Sequence, residues 1–127
     1  SREIKFRGLK KYSREWIYGM PTYDFTHIFN DENVDSPDSY EVDPDTIGQF
    51  TGLTDKDGKE IYEGDIVIGY GKFNDVVKFE YGYFSWDRSP LVLDLETDDP
   101  EEIYKVNKTE DWAEVIGNIH EDKHLLK

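Results

Sequence analysis

Short runs in which apolar and polar residues alternate recur along this chain, and windows with apolar residues at helical spacing are few. Ile4, Lys5, Phe6 and Arg7 alternate and predict a half-exposed strand. Residues 16–18, Trp-Ile-Tyr, predict a second, with a hairpin loop between them. Tyr23, Phe25, Thr26, Ile28 and Phe29 predict a third over residues 23–29. Residues 30–45 are polar and acidic, hold Pro37 and Pro44, and show no periodic apolar face, so they read as a loop. Strand character resumes at residues 47–50, bends through 51–53, and meets a strong turn at Asp55, Lys56, Asp57 and Gly58. Asp-Gly supplies the positive φ that a tight hairpin demands.

Residues 59–62 return from that turn, residues 63–65 turn again, and Ile66, Val67 and Ile68 predict a buried strand. Residues 76–79 and 83–86 form the next predicted pair, turning at Gly82. Leu91, Leu93 and Leu95 share one strand face, opposite Val92, Asp94 and Glu96. Asp99 and Pro100 are placed to cap and open a short helix. Residues 112–119 read as a last strand bent at Gly117, followed by a short helix or tail. Many short strands separated by turns predict a mainly β barrel or sandwich.

Composition changes this picture little but narrows the partners. The 127 residues are expected to form one domain, with residues 1–46 as N-terminal strands and acidic loop and residues 47–127 as the main body. There is no cysteine, which excludes disulfides and thiolate metal sites. No apolar run approaches the ~20 residues of a membrane helix, and no secretory leader is evident. No membrane partner is therefore expected, and the expected location is the cytoplasm. The net charge of −14 argues against direct nucleic-acid binding and favours basic proteins or other cationic surfaces. That charge is polarised. Arg2, Lys5, Arg7, Lys10, Lys11 and Arg14 head the chain, and no Lys or Arg follows until Lys56. Basic head and acidic belt are set to pair, within the chain or between subunits of a homo-oligomer.

Three segments resemble the YopX family of small phage- or prophage-encoded proteins: REIKFRG at 2–8, QFTGLTDKDGKEIYEGDIV at 49–67 and EVIGNIHEDKHLL at 114–126. Together they cover about a third of the chain. The resemblance implies a mainly β fold: a small SH3-like barrel with an N-terminal β-hairpin extension and few short helices. It brings no catalytic residues with it.

Candidate chemistry is thin. His120, Glu121 and His124 spell H-E-x-x-H, which on a helix aligns two imidazoles for zinc. No third ligand follows it, and His27 lies in another element. Residues 55–63 look like a calcium loop, but with Gly58 at its sixth position Leu53 and Gly64 fall where carboxylates belong. No serine sits in a nucleophile elbow, and Gly69 to Lys72 is too short for a phosphate loop. No catalytic residue, cofactor or metal is assigned. What remains is a binding surface: Asp31, Glu32, Asp35 and Asp38 in the acidic loop, the row Asp94, Glu96 and Asp98, and Tyr83 and Trp86. Exposed aromatics beside carboxylates grip cationic side chains. The expected function is a non-enzymatic phage accessory module for binding or assembly. The alternatives are a DNA mimic that inhibits a host DNA-binding protein and a metal-dependent hydrolase.

Overall fold

Alternation and turn chemistry together make short antiparallel strands nearly all of the regular structure among the described residues. The computed structural model describes residues 4–30, 38–80, 83–87, 89–91 and 109–126. Its packing gathers into two compact units, Ile4–Phe50 and Thr51–Lys127. The division falls inside β5 (Gly48–Thr54), four residues beyond the boundary expected from sequence.

In the first unit β1 (Phe6–Leu9), β2 (Trp16–Pro21), β3 (His27–Asn30) and β4 (Ser39–Glu41) join the start of β5 in the order β4-β3-β2-β1-β5. Register sets Gly8 opposite Ile17 and Pro21 opposite Ile28. Ile17, Ile28 and Val42 then bury on one face, with Tyr40 and Ile47 packed against them. A Cβ on Gly8 would lie 3.0 Å from the Ile28 Cδ1, so the small residue lets that face close.

Two expectations change here. The third strand begins at His27 rather than Tyr23, because the Asp24 carboxylate captures both flanking threonine hydroxyls and bends the chain. The acidic loop is only partly a loop. Tyr40 and Val42 contribute to the core, β4 pairs with β3, and Asp43 caps a 3-10 turn at Pro44–Thr46. Acidic neighbours hid this apolar pair from the pattern. Residues 31–37 of that loop lie outside the described residues.

In the second unit β5 continues beside β6 (Glu60–Tyr62). Instead of bending at 51–53, the strand runs on through Gly52 at φ +89°, and the Thr51 hydroxyl donates to the Ile61 carbonyl at 2.8 Å. The expected turn holds: Asp55 and Lys59 bond across it, and Gly58 sits at φ +80°. β7 (Asp65–Gly69) lies between β8 (Phe73–Val76) and β12 (Ala113–Asn118), and β10 (Tyr83–Trp86) lies between β9 (Lys78–Glu80) and β11 (Ser89–Leu91). The run 76–79 splits at Val77, whose N–H and C=O are taken by Asp65 and Gly64.

The bend expected at Gly117 is a register shift between Val115 and Gly117. One helical turn, α1 (Thr109–Trp112), precedes β12, and a 3-10 turn at Lys123–Leu125 follows it. Leu53, Ile61, Val67, Val77, Phe84, Trp86, Leu91 and Ala113 form the core. The proposed strand face beyond Leu91 and the helix at Pro100 lie outside the described residues. Among the described residues the sheets are open, each ending in edge strands, and no closed barrel forms.

Candidate binding surface

Two buried carboxylates are structural. The Asp55 side chain accepts the N–H groups of Asp57, Lys59 and Val115, each at 2.9 Å, which ties the β5–β6 turn to β12. Buried to 2% exposure, it serves the turn, not a calcium loop. Asp65, equally buried, accepts the Tyr62 N–H at 2.7 Å and closes the turn into β7. His120 and His124 do not share an α-helix. His120 lies in a turn held by the Asn118 side chain, and His124 lies in the following 3-10 turn. Among the described residues, no three metal-ligating side chains come together.

Of the expected surface residues, Asp38 is exposed and Tyr83 is 42% exposed. Trp86 is not on the surface. It is 7% exposed, its indole N–H donates to the Val67 carbonyl at 2.9 Å, and its ring packs on Trp112 at 5.0 Å. The reason is register: β10 turns Phe84 and Trp86 inward together, onto β7. Gly69 makes room, since a Cβ there would lie 2.4 Å from the indole. Asp31, Glu32, Asp35, Asp94, Glu96 and Asp98 lie outside the described residues.

The aromatic that does reach solvent is Tyr70. It follows β7 at φ +55°, and its N–H donates to the Trp112 carbonyl. Its ring stacks on Trp112 with centroids 5.5 Å apart and planes 16° from parallel. Tyr70, Trp112 and Trp86 thus form a ladder from solvent to core. Tyr70 is 69% exposed, so its outer face is open to a ligand. Glu110 and Asp111 are exposed on the same helical turn as Trp112. Neither Tyr70 nor Trp112 stands among the surface residues expected from sequence. The signal was there in the Glu-Asp-Trp triplet, a large aromatic directly behind two carboxylates.

The basic head pairs internally at several points. Lys10 meets Glu15 at 3.8 Å, Lys11 meets Glu41 at 3.4 Å and Arg14 meets Asp43 at 3.6 Å. Among the described residues, no helix is long and apolar enough to cross a membrane.

This architecture defines an antiparallel β protein with an aromatic ladder opening to solvent. Comparison with known proteins narrows that class. The chain belongs to the YopX protein family, whose model matches residues 5–127. Among solved structures it is similar to protein EF1440 from Enterococcus faecalis, with 29% identity, coverage of 100% of both chains and a TM-score of 0.58. No curated protein matches the chain.

Proposed function

We propose that this protein is a phage- or prophage-encoded accessory module that binds a basic protein without catalysing a reaction. It grips Lys or Arg side chains between the open face of Tyr70 and the carboxylates of Glu110 and Asp111. The observation that carries this reading is the Tyr70–Trp112 stack, which holds an exposed ring in a fixed orientation. A ring fixed before binding loses little freedom on binding, and the exposed carboxylates on the helical turn that it stacks against draw a cation to that surface. The net charge of −14 steers such a partner in and repels nucleic acid. An SH3-like strand arrangement, a cytoplasmic location in the bacterial host and self-association belong to the same reading.

The test is titration with an arginine-rich peptide, read by tryptophan fluorescence. Tyr70→Ala is expected to weaken binding roughly two- to fivefold, which matches about 0.5–1 kcal/mol for an exposed cation–π contact. The double variant Glu110→Gln, Asp111→Asn is expected to weaken it further. Unchanged affinity in both variants would reject the surface.

A further inference from the structure

We propose that the β2–β3 hairpin tip is a separate docking element for a basic amphipathic segment of a partner protein. It belongs to the first unit and does not depend on the Tyr70 surface. Tyr23 is 98% exposed and Phe25 48% exposed at the turn, with Met20 and Phe29 exposed directly behind it. Met20 and Phe29 are register partners, so their side chains share one face of the sheet.

The tip is held, not loose. The Asp24 carboxylate accepts the Thr22 hydroxyl at 2.7 Å, the Thr26 hydroxyl at 2.8 Å and the Thr26 N–H at 3.3 Å. Thr22 and His27 close the base of the turn through their backbones, and Phe25 donates its N–H to the Thr22 carbonyl. Phe25 adopts φ +59°, a conformation that a bulky residue avoids. Glycine or asparagine would take it with less strain, yet an aromatic stands there half-exposed. Strain retained at an exposed aromatic points to binding rather than folding. Preformed aromatic anchors are what dominate binding energy at protein interfaces.

Charge decides the occupant. Every basic side chain of the unit is already engaged: Lys5 over Phe50, Arg7 over Trp16, and Lys10, Lys11 and Arg14 with Glu15, Glu41 and Asp43. Asp24, Asp38 and Asp45 remain exposed. A second copy of this chain, a nucleic acid or an anionic membrane would meet like charge. A segment alternating apolar and Lys or Arg side chains would satisfy both the aromatics and Asp24.

The experiment uses the full chain and three short synthetic peptides: Leu alternating with Lys, Ser with Lys, and Leu with Glu. Affinity is read by fluorescence anisotropy at physiological salt, and the site by amide chemical shifts. The Leu/Lys peptide is expected to bind about tenfold more tightly than either control and to shift residues 20–29. Phe25→Gly relieves the left-handed strain, so thermal stability is expected to hold or rise while this affinity falls about tenfold. Tyr23→Ala is expected to weaken binding likewise. Equal binding of the Ser/Lys peptide, shifts centred elsewhere, or Phe25→Gly binding like wild type would overturn the proposal. So would binding to phosphatidylcholine vesicles with none to the Leu/Lys peptide.

Discussion

Asp55 shows how much one side chain carries in a small β protein. Its carboxylate satisfies three backbone donors, one of them 60 residues away in β12. Asp55→Ala strips all three at once. The N–H groups of exposed Asp57 and Lys59 can turn to water, whereas that of half-buried Val115 loses its partner, so a loss of roughly 1–3 kcal/mol is expected in urea unfolding. A change below about 1 kcal/mol would mean that water replaces the carboxylate freely. The Asp-Gly turn was legible because Gly58 needs positive φ, a local property. The third bond was not, because nothing near Asp55 in the sequence announces Val115. The same contrast separates Trp86 from Tyr70. Both are large aromatics near strand ends, and neither has local neighbours that state its burial.

At the scale of elements, the β2–β3 hairpin shows a side chain overruling strand propensity. Residues 23–26 are rich in aromatic and β-branched types and read as strand. The Asp24 carboxylate instead organises a turn, and its bonds from Thr22 and Thr26 hold its pKa below the usual 3.8. A lowered carboxylate pKa stabilises the folded form above the ordinary value and loses that contribution as pH falls through the folded value. The turn is therefore expected to be intact at neutral pH and to loosen only in strong acid. Carboxyl and Thr26 amide resonances are expected to titrate together with a midpoint under 3.8, and a midpoint at or above it would contradict the hydrogen bonding. β12 illustrates the opposite case. Its irregularity at Gly117 was readable, because a glycine inside a strand pattern marks a bulge or a close approach, and in the fold a Cβ there would lie 2.7 Å from Asp122 Oδ2.

For the whole molecule the dominant quantity is charge. The exposed ion pairs of the basic head contribute little each, because solvent screens them and ordering two long side chains offsets the attraction. The unmatched remainder of the −14 charge repels itself in the compact state. Raising salt shortens the Debye length from about 10 Å at 0.1 M to about 3 Å at 1 M. Thermal stability is therefore expected to rise with sodium chloride. A fall in melting temperature would show that the ion pairs outweigh the repulsion.

By itself the sequence determined the strand-and-turn character, the family and the absence of cysteine chemistry. These follow from alternation, from Asp-Gly and Glu-Gly turns, and from matched segments, all of them local along the chain. Tertiary structure decided which aromatics meet solvent, which carboxylates serve as scaffold and where the strands end. Burial depends on partners far away in sequence. Trp86 is fixed by Val67, 19 residues earlier, and Tyr70 is presented by Trp112, so only the folded register could turn one inward and leave the other exposed.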